Sequence, residues 1–352
     1  MAQEEISSLF LSQEDLINSG CFDMKLAISA AEEGLKAFMN GEILFPDKTV
    51  QIFDTHTQER INCLPATLLS KKVCGMKWVS VFPENPSRFG LQNLSAVILL
   101  SGIEKGFPLC FMDGTLCSNM RVAAIGAIAA KHLAVQDPET IGFIGVGEQA
   151  KMHLVGMKSA FPKIKFCQLG GKNPEEEKDF ISQMQPLFPD MDFRPAGTDL
   201  QKAVDHSDII VTATTAYAPL LKASWMKEGA FYSHIGGWED EFDVALQCEK
   251  IVCDDWEAVK HRDQTLAMMY SEGKISDGDI YGNLGELVIG EKPGREDNTE
   301  KAYFNAVGLS YIDISIAFEM FRRAETSNAG RELMLQEKMI FRHENLAEKL
   351  KV

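Results

Sequence analysis

The segment ETIGFIGVGEQAKMHLVGMKSA, residues 139–160, decides the fold of this chain. It opens as a short apolar strand and continues with the composition of a helix, and Gly145, Gly147 and Ala150 join the two in the pattern G-x-G-x-x-A. The first glycine permits a tight turn, the second lets a pyrophosphate approach the backbone, and the small third residue lets helix and strand pack closely. The segment predicts a dinucleotide-binding turn. A glycine turn with a purely structural role is the alternative.

The chain on either side of this turn predicts the rest of the architecture. From residue 139 to residue 255 short apolar strands alternate with helices, which is typical of a doubly wound parallel sheet of the Rossmann type, in an α/β fold. Glu148 and Gln149 open the first helix, and we expect them to bind phosphate mainly through their backbone N–H groups. The first third of the chain mixes helices with strands. After residue 255 the pattern is helical and loop-rich, and residues 306–324 predict a long amphipathic helix.

Composition limits the class of protein. The 352 residues predict two domains, and a formal net charge of −16 argues against a nucleic-acid partner. The eight cysteines show no C-x-x-C spacing, so neither a disulfide framework nor a metal site is expected. The N-terminal stretch carries acids where a signal peptide needs positive charge, and no apolar run approaches the roughly 20 residues that span a bilayer. We expect a cytoplasmic protein with no membrane partner.

The second strand of the alternating region bears on cofactor choice. In NAD-specific folds this strand ends in an acid that binds the ribose 2′-hydroxyl. Here it ends in the sequence Leu-Gly-Gly-Lys-Asn, with no acid before Glu175, and Lys172 is placed to meet a 2′-phosphate. The sequence favours NADP over NAD. A solvated lysine in a turn is the alternative.

Several segments, in the same order along the chain, resemble motifs of the ornithine cyclodeaminase/mu-crystallin family: GMKWVSVFPENP (75–86), SNMRVAAIGAIAAKHLA (118–134), GVGEQA (145–150), VTATTAYAPLL (211–221), GNLGELVIGEKPGR (282–295) and NAVGLSYIDISIA (305–317). The resemblance covers nearly the whole chain. It implies a discontinuous α+β substrate-binding and dimerisation domain, residues 1–130 with 312–352, and a Rossmann domain, residues 131–311. It also implies a homodimer.

Members of that family act on α-amino or α-imino acids with a bound nicotinamide, through a carbon–nitrogen double bond beside a carboxylate. The resemblance implies that Arg121 binds this carboxylate and that Lys77 is catalytic at the reacting centre. Lys48 lies where relatives often have a second carboxylate contact. Alternatively, Arg121 would cap a helix and Lys77 would guard a strand edge. The resemblance further places Thr212, Thr214 and Gly236 at the nicotinamide half of the cofactor.

Two positions depart from the cyclodeaminase pattern. Asn62 and Trp238 stand where ornithine cyclodeaminases have acids, and an indole cannot act as a base. Both are predicted to line the substrate pocket, while Glu239 or Asp240 could replace the missing acid. We therefore expect an NAD(P)-dependent imine reductase or amino-acid dehydrogenase that takes a small amino or imino acid. The alternatives are an ornithine cyclodeaminase, which forms proline and ammonia, and a binding protein that has lost turnover.

Overall fold

The computed structural model describes residues 5–54 and 56–351. Its strands follow the period-2 and short apolar segments of the sequence. In chain order they are β1 (Ile6–Leu11), β2 (Ile43–Leu44), β3 (Thr49–Asp54), β4 (Glu59–Leu68), β5 (Val73–Val81), β6 (Leu94–Gly102), β7 (Pro108–Asp113), β8 (Thr140–Ile144), β9 (Phe166–Gly170), β10 (Asp192–Gly197), β11 (Ile209–Thr212), β12 (Phe231–His234), β13 (Lys250–Cys253), β14 (Gly282–Asn283), β15 (Ala302–Asn305) and β16 (Arg331–Gln336).

Several helices begin after a side chain that caps them, namely Ser12, Asn173, Asp199 and Asp255. In chain order they are α1 (Gln13–Asn18), α2 (Met24–Met39), α3 (Asn85–Phe89), α4 (Thr115–Leu133), α5 (Glu148–Ala160), α6 (Pro174–Met184), α7 (Leu200–Val204), α8 (Phe242–Leu246), α9 (Trp256–Val259), α10 (Thr265–Ser271), α11 (Leu284–Val288), α12 (Ser310–Thr326) and α13 (Leu346–Leu350). Within the described ranges, none of the helices is both long and apolar enough to cross a membrane.

The chain divides into two units. The first holds residues 1–23, 42–118 and 313–352, and the second holds residues 24–41 and 119–312. The sequence predicted a first domain that is continuous from residue 1 to residue 130. In the structure, residues 24–41 and 119–130 belong to the second unit instead. The reason is packing: α2 contacts α5 and α11. On α4, the backbone of Ala123 meets Gly156 of α5 so closely that a Cβ on Gly156 would lie 2.8 Å from the Ala123 carbonyl oxygen.

The second unit is built on a parallel sheet of eight strands in the order β10-β9-β8-β11-β12-β15-β13-β14. The chain moves outward from β8 through β9 to β10, and then returns to the other side of β8 with β11 and β12. This reversal makes β8 and β11 neighbours whose connections run in opposite directions. Ligands of doubly wound sheets bind at the carboxyl ends of such a strand pair. The predicted Rossmann-type α/β fold is confirmed.

The first unit is a mixed sheet in the order β16-β1-β7-β6-β5-β4-β2, with β3 also paired to β4. The pairs from β4 to β7 are antiparallel, while β1 runs parallel to β7. On β5, alternate residues point to a buried face. Lys77 stands on that face, opposite Leu64 of β4 and Ile98 of β6. The discontinuous α+β unit that the sequence predicted is therefore present.

The chain after residue 255, which the sequence predicted to be helical and loop-rich, also contains strands. Residues 302–305 form β15, which lies between β12 and β13 in the middle of the parallel sheet. All four of its residues are buried. A run of only four residues has too little periodicity to separate a buried strand from loop or helix. The long amphipathic helix is present, but it begins at Ser310 rather than at residue 306.

Candidate functional site

The glycine turn at the carboxyl end of β8 has the geometry that a dinucleotide needs. Gly145 has φ +93, a conformation that L side chains rarely adopt. A Cβ on Gly145 would lie 2.5 Å from the carbonyl oxygen of Ala213, which follows β11. A Cβ on Gly147 would meet no atom within 4 Å, so the backbone there is open to a ligand. Gly145 thus allows close packing against the chain after β11, and Gly147 leaves space for a ligand.

Helix α5 starts directly at this turn, and Gly147 provides no side-chain cap for it. The N–H groups of its first turn, including those of Glu148 and Gln149, are therefore available to an anion. The Gln149 side chain donates to Asn119 at 2.9 Å, while Ala150 is fully buried against the strand. An uncapped helix start beside an open glycine fits the pyrophosphate of a dinucleotide.

The carboxyl end of β9 carries both a lysine and an acid. Lys172 is exposed, and its backbone N–H donates to the Glu176 carboxylate at 3.3 Å. The same carboxylate accepts from the Asn173 side chain at 3.1 Å, and Asn173 caps α6. No acid precedes Glu175 in the sequence after β9, but the fold brings the Glu176 carboxylate back to the end of the strand. The end of β9 therefore carries the negative charge of Glu176 as well as the positive charge of Lys172.

Thr212, Thr214 and Gly236, the predicted nicotinamide positions, are drawn together by a buried carboxylate. Glu239 is fully buried, and one of its oxygens accepts from the Thr214 backbone N–H at 2.6 Å and from the Thr214 hydroxyl at 2.7 Å. The other oxygen accepts from the Thr212 hydroxyl at 2.8 Å and from the Gly236 N–H at 2.7 Å. The three predicted positions thus meet at the carboxyl ends of β11 and β12.

The neighbouring acid is equally buried. Asp240 accepts from the Thr265 hydroxyl at 2.6 Å and from the Tyr303 hydroxyl at 3.0 Å, and burial raises the pKa of its carboxyl. The His234 ring lies 3.5 Å from the same carboxylate, with no exposed surface. The sequence left open that Glu239 or Asp240 replaces the acid of cyclodeaminases. Their burial and hydrogen bonds assign both to the interior of this unit instead.

Trp238 lies directly before these acids and is half-buried. Its indole meets the ring of Tyr217 edge to face, with centroids 6.0 Å apart and planes at 82°. Tyr217 itself is exposed. The pair forms an aromatic surface near Gly237, since a Cβ on that glycine would lie 3.6 Å from the Tyr217 ring.

Arg121, the predicted carboxylate contact, lies on α4 against a glycine. A Cβ on Gly308 would stand 2.7 Å from both terminal nitrogens of the Arg121 guanidinium. Asp254 accepts from the N–H groups of Val307 and Gly308 at 3.1 and 2.8 Å. Burial raises the pKa of Asp254 to about 6, and the backbone donors and the Arg121 charge oppose this rise. Burial, together with the Arg121 charge, lowers the pKa of His153 to about 4.

In the first unit, Lys77 forms a buried ion pair. Its Nζ lies 2.8 Å from Oδ1 of Asp313 on α12, and their side chains are 3% and 0% exposed. The strand places the lysine on the buried face of the sheet, which argues against a role as a guard of a sheet edge. As half of an ion pair the group is an ammonium, with three N–H donors.

Asn62 and Lys48 belong to the same unit as Lys77. Asn62 on β4 pairs with Val79 of β5, two residues along from Lys77, so Asn62 and Lys77 share a face of the sheet. The amide oxygen of Asn62 is buried, and no described residue donates to it. Lys48 lies half-buried in the connection between β2 and β3.

Three carboxylates were missed by the sequence argument as site residues: Asp254, Asp313 and, in its actual role, Glu239. Each is an acid inside or directly after an apolar run. Asp313, for example, stands between Ile312 and Ile314 on a helix that is otherwise apolar on this side. A buried carboxylate needs a charged or hydrogen-bonding partner, so such an acid is a usable signal. The partner itself cannot be read from local sequence.

Comparison with known proteins adds the family context. The family model described as ornithine cyclodeaminase/mu-crystallin matches residues 9–328. A curated relative, N-((2S)-2-amino-2-carboxyethyl)-L-glutamate dehydrogenase of Staphylococcus aureus, is 30% identical over 331 residues, which is 93% of this chain and 98% of the relative.

Two solved structures are similar over the same length. The Δ1-pyrroline-2-carboxylate reductase of Thermococcus litoralis, in complex with NADH and L-proline, gives a TM-score of 0.87 at 30% identity, covering 92% of this chain and 99% of that one. An archaeal alanine dehydrogenase dimer with bound NAD gives a TM-score of 0.85 at 30% identity, covering 94% of this chain and all, 100%, of that one.

Proposed function

The chain belongs to the ornithine cyclodeaminase/mu-crystallin family, as its motifs predicted, and from that premise we propose that it is a nicotinamide-dependent oxidoreductase of α-imino and α-amino acids. It reduces the imine of a 2-keto acid, or oxidises the matching amino acid, by hydride transfer at the α-carbon. The relatives at about 30% identity are dehydrogenases and reductases of small amino or imino acids.

The observation that carries the redox part of this proposal is the turn from β8 to α5. Gly145 at φ +93, the open Gly147 and the uncapped start of α5 form a cradle for a pyrophosphate at the point where the sheet order reverses. When bound there, a nicotinamide supplies or accepts hydride. Thr212, Thr214 and Gly236 would contact its nicotinamide half, and Glu148, Gln149 and Ala150 its phosphates.

In this proposal Arg121 binds the substrate carboxylate. A guanidinium matches a carboxylate with two parallel N–H donors, and Gly308 leaves room for it to lie flat. Lys48 would add a point charge. Asn62 offers a buried amide oxygen to a substrate N–H, and Trp238 with Tyr217 would bound the substrate side chain. In a chain with a net charge of −16, an anionic substrate needs local positive charges, which Arg121 and Lys48 would supply.

Lys77 is the proposed acid of the reaction. Its ammonium gives a proton to the imine nitrogen, so that the C=N carbon becomes electron-poor and accepts hydride. The double bond becomes a single bond, and Lys77 regains its proton from water after the amine leaves. The Asp313 carboxylate, 2.8 Å away, holds the Nζ in place. In the oxidation direction the same lysine, once neutral, accepts the proton.

For the cofactor we propose NAD(H). The NADP preference inferred from Lys172 has no support from the relatives, whose solved complexes hold NADH or NAD. The geometry gives a reason, since the Glu176 carboxylate lies at the backbone of Lys172 and would oppose a 2′-phosphate. Paired fluorescence titrations should give a lower Kd for NADH than for NADPH. Lys172→Asp should leave the NADH value within a few-fold.

We also propose a homodimer, which the dimeric archaeal relative supports. The first unit exposes Ile52 and Phe53 on β3, at 53% and 58% of their surface, and a partner chain would cover such side chains. Light scattering should give about twice the mass of one chain, 39.1 kDa. A cytoplasmic location stays a prediction from sequence.

The deciding experiment crosses a panel of 2-keto acids with ammonia and simple amines, with NADH oxidation followed at 340 nm. Δ1-Pyrroline-2-carboxylate, a ready-made cyclic imine, belongs in the panel. Net NADH oxidation with at least one imine is the expected result. Incubation of ornithine with catalytic NAD tests the cyclodeaminase alternative. We expect no proline, because the distal amine needs a base at neutral pH and both acids after Trp238 are fully buried. Robust formation of proline and ammonia would favour the cyclodeaminase, and cofactor binding without any turnover would favour a binding protein.

A further inference from the structure

Glu239 forms hydrogen bonds to both ends of the loop that follows β11. At the start its carboxylate holds the N–H and the hydroxyl of Thr214. At the far end its backbone carbonyl accepts from the N–H groups of Leu220 and Leu221 at 2.8 and 3.0 Å. Where β11 passes into this loop, the last N–H that donates to the sheet is that of Ala213, and its acceptor is the Ile144 carbonyl oxygen. Glu239 therefore contacts both ends of the segment 214–221.

The same carboxylate also fixes the end of the next strand. Its second oxygen accepts from the Gly236 N–H, two residues past β12, and from the Thr212 hydroxyl. A Cβ on Gly236 would lie 2.5 Å from the Glu239 carboxyl carbon, so only glycine lets the acid come this close. One side chain thus joins the carboxyl ends of β11 and β12.

The donor set fits a side chain that accepts hydrogen bonds at both of its terminal atoms. Each oxygen accepts two hydrogen bonds, and two of the four donors are backbone N–H groups that cannot change into acceptors. A neutral amide of the same shape would place an NH2 group against one of them. Four bonds at 2.6–2.8 Å also satisfy the charge of a side chain with no exposed surface.

We infer that Glu239 is a positioning residue for the nicotinamide half of the cofactor. It touches neither cofactor nor substrate, and acts by holding Thr212, Thr214 and Gly236 where the nicotinamide ring and its ribose are to bind. This role rests on the proposed function. It explains why this chain keeps an acid directly after Trp238 although that acid faces the interior.

Asp240 provides a matched control. It is the adjacent residue, equally buried, and also an acid, but its partners are the hydroxyls of Thr265 and Tyr303. A hydroxyl can rotate to accept from an amide, so Asp240→Asn keeps its hydrogen bonds. Glu239→Gln cannot keep all of its own.

The experiment measures the binding of two ligands to the full-length apoenzyme. NADH reports on the whole cofactor, and ADP-ribose contains the pyrophosphate and adenosine but no nicotinamide. We expect Glu239→Gln to raise the Kd of NADH at least tenfold and that of ADP-ribose less than threefold. Asp240→Asn should change neither by more than threefold. Circular dichroism checks that each variant is folded.

Three results would overturn the role. NADH binding unchanged by Glu239→Gln would remove it and leave the proposed function intact. An equal loss for NADH and ADP-ribose would make Glu239 a support of the whole unit. A wild-type enzyme that binds neither NADH nor NADPH would overturn the proposed function itself, and this role with it. If Glu239→Gln does not fold, Glu239→Asp retains the charge and is subject to the same comparison, with a smaller but still NADH-selective loss expected.

Discussion

Lys77 Nζ lies 2.8 Å from Asp313 Oδ1, and the two side chains come from a strand and a helix that are far apart in the sequence. Both are buried, so neither charge is screened by water. Removal of one partner of a buried pair leaves the other charge uncompensated, whereas removal of both does not. The pair therefore links the stability of the first unit to the residue that we propose as the catalytic acid.

This coupling is measurable as a double-mutant cycle. Lys77→Met and Asp313→Asn should each lower the free energy of unfolding by about 3 kcal/mol or more, and the double variant should lose less than their sum. Lys131 and Glu32 give the control pair, at 2.7 Å but with 39% and 28% of their side chains exposed. Their coupling should stay below about 1 kcal/mol. Additive losses at Lys77 and Asp313 would contradict the linkage.

Arg121→Ala should lower kcat/KM strongly while NADH still binds. Truncation of one partner of a desolvated charge pair costs about 2–5 kcal/mol, or roughly 30-fold to several thousand-fold in kcat/KM. Arg121→Lys should recover only part of the activity, since an ammonium cannot make the two-pronged contact. Steady-state kinetics and a fluorescence titration check both statements. Near-normal kinetics for Arg121→Ala would make the arginine structural.

Gly308→Ala should reduce activity by displacing Arg121, because the new Cβ would lie 2.7 Å from both guanidinium nitrogens. Gly308 has φ +89, so part of any effect is backbone strain. Gly290→Ala isolates that part, since Gly290 has φ +76 and no atom within 4 Å of a Cβ. We expect both variants to lose about 1 kcal/mol of stability from strain and only Gly308→Ala to raise the substrate KM. Equal kinetics in the two would refute the contact.

Gly145→Ala and Gly147→Ala should differ in kind. At Gly145 the Cβ meets the Ala213 carbonyl oxygen at 2.5 Å and φ is positive, so both the unfolding temperature and NADH affinity should fall. At Gly147 a Cβ finds open space, so the unfolding temperature should be unchanged while NADH binds at least tenfold more weakly. Thermal melts with and without NADH give both quantities. Unaltered NADH binding in Gly147→Ala would place the pyrophosphate elsewhere.

His153 should make the protein sensitive to mild acid. Its pKa is lowered to about 4 by burial, below the ordinary value near 6.5 that applies to the unfolded chain. Above pH 6.5 the ring is neutral in both states. Between pH 6.5 and 4 the unfolded chain takes up the proton first, so stability falls as the pH falls. This one group should cost about 2 kcal/mol at pH 5.

The check is a comparison of wild type with His153→Asn, whose amide can replace the Nδ1–H donation to the Gln149 carbonyl oxygen at 2.7 Å. The stability of wild type relative to the variant should drop by that amount between pH 7.5 and pH 5. A difference that does not change with pH would mean that the ring is protonated in the folded protein as well.

The features that could be predicted from sequence are those that depend on residues close together in the chain. Gly145 and Gly147 are recognisable because a turn at a strand end restricts the residue types that fit, and the doubly wound sheet follows from the alternation around them. The roles of Lys77 and Arg121 were predicted from the resemblance of their segments to family motifs, and these roles remain proposals.

The missed features depend on partners that are distant in sequence. Nothing near Glu239 indicates that its carboxylate turns inward to Thr214, because that donor lies in the loop after β11, 25 residues away in the sequence. Strand β15 was missed because its four residues, three of them apolar, carry too little pattern. Its position between β12 and β13 follows from the path of the whole sheet rather than from its own residues.

Strand β16 lies beyond residue 328, where the match to the family model ends, yet it completes the first unit's sheet. It pairs antiparallel with β1, so the outer N–H and C=O groups of β1 are covered, and the guanidinium of Arg331 lies 5.5 Å from the centre of the Phe10 ring. An uncovered strand edge is a template for pairing with another chain. The C-terminal segment thus moves the open edge of this sheet from β1 to β16, where Leu333, Met334 and Leu335 are 42%, 48% and 58% exposed. A chain that ended at residue 328 would have its open edge at β1 instead, so this segment decides which strand is available for pairing with another chain.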